Sequence, residues 1–390
     1  MAATLVISDL HLGNRSGSDL LRRPDLRAAL SEALDGIERV VLLGDAVELR
    51  QGPARVALAA SRPFFEELGA SGVAEVVLVP GNHDHALVAP WLERRRRDEQ
   101  PPALGLEQDA AWEDGDAIAQ IASWLAPARL RLAYPGVWLR DDVYATHGHY
   151  LDRHTTVPTF ERLSAGVMGR IVGRPAAHGA GPDDYEAALA PIYAWSYALA
   201  QHAGGGDGGA GEGGASGGAG ARTGGAGGRG AAGTQGISVK VWSTLAGDGH
   251  RPLRRRALAA AFPLGVAAIN RTGIGPVKAD ISGRALGVAG ARAMADAATA
   301  LGIGAPHVIF GHTHRAGPLP GDDPSVWRGD GPVRLHNTGT WVFERHFLSR
   351  VPYQSPYWPG RAIRVEHDST APPELLSLLG ERTWGELAGE

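Results

Sequence analysis

Val76-Val77-Leu78-Val79-Pro80-Gly81-Asn82-His83-Asp84 reads as a short buried strand that stops at Pro-Gly and presents three polar side chains at its end. In α/β folds ligands bind just beyond the C-terminal ends of strands. Taken alone, Gly81 to Asp84 describes a satisfied loop as well as a site. Its meaning comes from the chain on either side, which repeats the arrangement.

Upstream, Thr4–Ile7 reads as a strand followed by Ser8-Asp9-Leu10-His11, where an N-cap Asp beside an incidental His is the plain alternative to a metal pair. Arg39–Leu43 is a second apolar strand, ending in Gly44-Asp45 with Glu48 three residues on. Helical spacing over Asp25–Leu34 and Pro53–Leu68 separates these strands. Strands alternating with helices predict an α/β sheet. Downstream, Ala86–Arg97 and Ala117–Leu125 read as helices; Arg94 to Arg97 is foremost a solvated helix end, with phosphate or nucleic-acid binding as the lesser reading. Arg129–Ala133, Val137–Leu139 and Val143–Thr146 read as strands joined by turns at Pro135-Gly136 and Asp141-Asp142, the last running into His147-Gly148-His149. Val308–Phe310 leads into Gly311-His312-Thr313-His314, and Val333–Leu335 and Ala362–Val365 read as closing strands. Pro372–Leu387 is expected to be a C-terminal helix.

The segment between these halves differs. Asp183–Gln201 and Ala285–Leu301 read as helices. Ala203–Gly236 holds much of the chain's 55 Gly and almost no apolar bulk, which predicts a flexible segment. With no strand before it and no Gly-Lys-Ser/Thr, it is not a phosphate loop. Arg254-Arg255-Arg256 followed by Ala257–Ile269 reads as a helix with a basic end, or more sharply as a substrate or membrane-surface contact. The chain has 390 residues, 44% hydrophobic and 21% charged, enough for one large domain or two ordinary ones. A net charge of -4 implies no nucleic-acid partner. The absence of Cys excludes thiolate metal sites, a Cys nucleophile and disulfides. Neither a signal peptide before Thr4 nor a membrane-length apolar run is seen, which predicts a cytoplasmic protein, with contact at a membrane surface through the insertion as an extension.

Collected at strand ends are Asp9, His11, Asp45, Asn82, His83, His147, His312 and His314. A two-metal hydrolase, its ions roughly 3.5–4 Å apart, needs such an inventory of nitrogen ligands around a bridging carboxylate. Asp45, alone at its turn, is the natural bridge.

The series Asp9-x-His11, Gly44-Asp45-x-x-Glu48, Gly81-Asn82-His83-Asp84, His147 and Gly311-His312-x-His314 resembles the calcineurin-like metallophosphoesterase superfamily, in the family's order. The resemblance covers residues 1–150 and 306–368 and implies a four-layer αββα sandwich of two mixed sheets. It divides the chain into a core of 1–150 and 306–368, a mostly helical cap insertion over 151–305 containing the Gly-rich 203–236, and a C-terminal helix over 369–390. It also implies two divalent ions, with manganese foremost and iron, zinc or cobalt tolerated. Asp9, His11 and His314 would hold the first, Asn82, His147 and His312 the second, and Asp45 both. His83, as imidazolium, would serve the phosphoryl group or leaving group, with Asp84 orienting it. Asn14, Arg15, His149, Asp152 and Arg315 follow the ligand motifs closely and are candidate substrate contacts.

The expected activity is phosphomonoester or phosphodiester hydrolysis of a small molecule. Gly44 to Glu48 and the insertion after His147 are also similar to UDP-2,3-diacylglucosamine pyrophosphohydrolases, a helical cap of which grips lipid chains; that group typically has Arg where this chain has His83. Hydrolysis of a UDP-linked acyl sugar is thus one alternative, and a non-catalytic binding protein on the same fold another. No oligomeric state is implied.

Overall fold

The computed structural model describes residues 2–155, 180–202, 283–345, 347–348 and 355–390. The Gly-rich segment 203–236 and the basic and apolar stretch 254–269 lie outside the described residues.

Strands β1 (Ala3–Ile7), β2 (Ile37–Leu43) and β3 (Glu75–Val79) are parallel neighbours, crossed over by helices α1 (Pro24–Glu32) and α2 (Ala54–Ala70). Short β4 (Glu107–Asp109) precedes helix α4 (Ala117–Leu125) and the long β5 (Arg129–Arg140). The turn expected at Pro135-Gly136 is absent, because β5 runs straight through it. Its first part pairs with β3, residues Ala133 to Pro135 face β4, and from Gly136 it pairs with β6 (Val143–Thr146). Pro-Gly here marks a change of neighbour: a Cβ at Gly136 would overlap the Tyr144 hydroxyl. Parallel β7 (His307–Phe310) and β8 (Arg334–Asn337) extend the sheet from β6.

On the other side β1 pairs with β9 (Arg361–Glu366), and β9 with β10 (Glu374–Ser377). The C-terminal helix expected over 369–390 is therefore mostly replaced. Leu375 and Leu376 join the sheet edge opposite Ile363 and Ala362, and only Trp384–Ala388 is helical, started by a capping box of Thr383 and Glu386. An open sheet edge outweighed local helix preference. The helix expected over 86–97 begins instead as a single 3-10 turn, His85–Leu87, followed by α3 (Ala89–Arg96), with Pro90 in its first turn.

Alternation within each strand divides the core. Leu5, Ile7, Val40, Leu42, Val76 and Leu78 pack with Leu26, Phe65 and Ile121 of the helices. Among the described residues, their sequence neighbours Val6, Val41, Leu43, Val77 and Val79 cluster with other strand residues, including Val137, Val143, Ala145 and Ile309. Tyr144, Val308, Phe310 and Leu335 face helix α6 (Gly283–Ala300) through Ala293, Met294 and Ala298. The result is a mixed α/β fold around a large sheet whose strands are buried on both faces, as their near-continuous apolar runs require. Helix α5 (Pro182–His202) docks over the His85–Leu87 turn and the 149–153 turn. Among the described residues no helix is long and apolar enough to cross a membrane.

Candidate metal centre

The ends of β1, β2, β3, β6 and β7 bring all five motifs to one edge of the sheet. The backbone there is strained. Among the described residues the non-glycine residues with positive φ are Asp9 (54°), His11 (45°), Asp45 (52°), His312 (67°) and His314 (57°), every one an expected ligand. Side chains that branch from an L-residue resist this conformation, so such strain persists where the surroundings impose it, chiefly at functional sites. Here the loops impose it on one another: Asp9 N–H donates to Gly44 O at 3.1 Å, His11 N–H to Asp45 O at 2.8 Å and Gly311 N–H to His147 O at 2.9 Å. Gly81 lets these loops close, since a Cβ there would overlap the Asp45 carboxylate and the His147 ring.

Three overlapping groups result among the described residues: Asp9 with His11 and His314, Asp45 with His147 and His312, and, between these two clusters, His11 with Asp45 and His83. His314 Nε2 lies 3.3 Å from Asp9 Oδ1 and 3.2 Å from His11 Nε2. Asp45 Oδ2 stands between the clusters, 3.2 Å from His147 Nε2 and 3.7 Å from His11 Nε2. Asn82 turns its carboxamide oxygen to His147 Nε2 at 3.3 Å and His312 Nδ1 at 3.1 Å. The opposite amide orientation would accept from Arg50 Nη1 at 2.9 Å and donate to Asp45 Oδ2 at 3.2 Å. A cation among these atoms selects the inward oxygen.

The residues fit a divalent metal. Asp9 Oδ1 is buried without a hydrogen bond, and carboxylate oxygens and ring nitrogens of Asp9, His11, Asp45 and His314 crowd together. Nitrogen and oxygen donors without sulfur suit Mn, Fe, Zn or Co. The outer ring nitrogens strengthen the case. Each of the four expected histidine ligands has its other nitrogen engaged: His11 Nδ1 with Glu48 Oε2 (3.1 Å), His147 Nδ1 with Leu43 O (2.9 Å), His312 Nε2 with Asp152 Oδ1 (3.0 Å) and His314 Nδ1 with Glu344 Oε1 (3.5 Å). Metal-bound imidazoles characteristically have such partners, which fix tautomer and ring direction. Glu344 carried no mark in the sequence. Asp152 pairs with His312, where a substrate contact was expected.

His83 is held by Glu48, whose Oε2 is 2.8 Å from Nδ1. This corrects the expectation that Asp84 orients it. The Asp84 carboxylate accepts instead from the main-chain N–H groups of Gly81 (2.7 Å) and Ala46 (2.8 Å), stitching the Asn82 loop to the Asp45 loop. Burial and the neighbouring Asp45 charge push the Asp84 carboxyl up to about 6. Burial also holds His83 below the usual imidazole range against the pull of Glu48 and Asp45. For Asp45 and Glu48 burial is overcome by the surrounding imidazoles, and both carboxyls lie below their ordinary values. Glu48 therefore serves both rings, and Glu48→Gln is expected to weaken metal binding by about 10–100-fold; titration of metal-free protein with Mn²⁺ checks this, and parental affinity would show that the bond to His11 is dispensable.

Three of the expected substrate contacts are spent on structure. Asn14 closes its own turn, its oxygen accepting from Ser16 Oγ and Ser18 N–H and its amide donating to Ser18 Oγ. Arg315 forms a forked pair with Asp322 (2.6 and 3.1 Å) and lies over the Trp327 ring. His149 is buried behind His147, stacked on Tyr134, and burial keeps it well below the usual imidazole range. Arg15 alone is exposed. A cation not anticipated, Arg50, is buried beside Asn82.

No curated protein matches the chain closely enough to count as a relative. Residues 3–188 match the family model for the calcineurin-like phosphoesterase. That span takes in the Asp9, Asp45, Asn82 and His147 motifs, and the fold closes their cluster with His312 and His314 from beyond it. The similarity to the calcineurin-like phosphoesterases thus extends over residues 3–188 of the chain.

Proposed function

We propose that the protein is a phosphoester hydrolase that works through two divalent ions, one held by Asp9, His11 and His314, the other by Asn82, His147 and His312, with Asp45 shared. The observation that carries the reading is Asp45 Oδ2, which faces an imidazole nitrogen of each cluster. The strand-only apolar cluster, with helix-facing clusters on either side of it, supports the four-layer αββα sandwich that goes with this reading.

When bound, such ions would polarise phosphoryl oxygens and lower the pKa of a bound water towards neutrality. The chain's own residues do the rest. Glu48 takes the Nδ1–H of His83 and leaves Nε2 free to accept a proton or, once charged, to hand one to the departing alcohol. Asp84 holds the His83 loop against the Asp45 loop, so that both arrive in register. The products are an alcohol and phosphate, or a phosphomonoester.

Hydrolysis of an aryl phosphate and an aryl phosphodiester, with Mn²⁺ and with chelator, tests this. Turnover supported by Mn²⁺ and abolished by chelator is expected. Metal-loaded protein inert on every ester would point to a binding role. A second reading, cleavage of a UDP-linked acyl sugar at a membrane surface, is favoured by a cavity of about 590 Å³ between α3 and α5, floored by Ala89, Pro90, Ala190, Ala194 and Tyr197 beside His85. Arg50, from the segment after β2, also places a guanidinium charge next to Asn82, whose own loop carries His83 in place of Arg. Preference for the acyl sugar over both aryl esters would select it.

A further inference from the structure

Helix α5 reaches the metal loops through buried polar side chains. Glu186, 2% exposed, accepts from Tyr150 Oη at 2.8 Å and from Tyr134 Oη, and its other oxygen is 3.0 Å from His85 Nε2. His85 immediately follows Asn82-His83-Asp84, and Tyr150 immediately follows His147-Gly148-His149. One carboxylate on α5 thus joins the two loops that deliver Asn82 and His147. Further along the helix, Ser196 Oγ accepts from Arg50 Nη2 at 3.4 Å, and Arg50 faces the Asn82 carboxamide. Gln201 then accepts from Ala54 N–H at 2.8 Å.

The other cluster is braced differently. His11 leans on Glu48 and His314 on Glu344, both outside α5. A buried carboxylate is costly unless its acceptors are filled. Glu186 meets that condition with three donors: burial raises its carboxyl, while His85 and the two tyrosines bring it below the ordinary value.

We propose that Glu186 is a positioning residue for the second metal site. It locks the Asn82 and His147 loops through His85 and Tyr150, so that occupancy of Asn82, His147 and His312 depends on Glu186 while occupancy of Asp9, His11 and His314 does not. This rests on the two-ion reading above. It also makes α5 part of the site's frame and not a lid that can be removed from it.

The test is metal binding by the full chain. Metal-free parent, Glu186→Ala and Tyr150→Phe are dialysed against graded Mn²⁺ and bound metal is counted, with circular dichroism as the folding control. The parent is expected to take two ions. Glu186→Ala is expected to hold one with parental affinity and the other about 10–100-fold more weakly, the range for partners of metal ligands. Tyr150→Phe, which keeps the ring and removes one bond, is expected to shift the same ion by less, and it decides the matter if Glu186→Ala does not fold. Unchanged affinities, or equal weakening of both ions in a folded protein, would overturn the inference. A parent that takes fewer than two ions would overturn the two-ion reading itself, and this proposal with it.

Discussion

Asp45→Asn is expected to lower kcat/KM on the order of 10³-fold and to reduce metal content. Partners of metal ligands are worth about 10–100-fold, and Asp45 stands a step closer. Its Oδ2 lies between His11 Nε2 and His147 Nε2, while Oδ1 accepts the His83 main-chain N–H at 2.8 Å. An Asn has the same shape, but whichever way the amide turns, one requirement fails. Keeping its oxygen on the His83 N–H points an NH₂ at the two clusters. Turning the oxygen inward sets two N–H groups against each other at the loop and unlatches His83. The substitution also removes one negative charge from a site crowded with cations when loaded. Kinetics and metal analysis on the same preparation check this; a variant retaining a tenth of parental activity with full metal content would show that Asp45 is not shared.

His83→Ala is expected to lower kcat by about 10²–10⁴-fold, the usual contribution of a positioned acid or base, while leaving metal content unchanged. The two rings nearest Glu48 have distinct tasks. His11 Nε2 points at Asp45 and His314, whereas His83 spends Nδ1 on Glu48 and burial holds its imidazole below the usual range. A neutral imidazole fixed at one nitrogen can exchange a proton at the other. The variant's pH–rate profile should therefore lose the limb that belongs to this ring. Loss of metal together with activity would instead make His83 a ligand, and loss of neither would remove it from the chemistry. The contrast between the two substitutions separates holding metal from moving protons.

The chemistry of the site was legible because it is written in local units. A buried strand, a glycine and a polar pair can be read within about ten residues, and a run of such strands joined by helices places their ends on one edge. Roles that depend on non-local neighbours were misread for the same reason. Asp84 looks like the partner of His83, one residue away, yet the three-dimensional partner is Glu48, 35 residues distant. Arg315 and Asn14 have the chemistry of phosphate and substrate contacts, but Asp322 and the Ser16–Ser18 turn claim them.

The α/β alternation, the eight strand-end groups and their donor chemistry can be read from the chain locally, because periodicity and residue type are properties of short segments. Which groups meet cannot be read in that way. Folding brings His11 to His314 across 303 residues, forces five of the expected ligands into left-handed backbone, sets Glu344 and Asp152 against the His314 and His312 rings, and turns Leu375 and Leu376 into an edge strand. Each of these follows from packing between distant parts of the chain, which sets the cost of a strained φ, an unfilled hydrogen bond or an open sheet edge and has no counterpart in any local window.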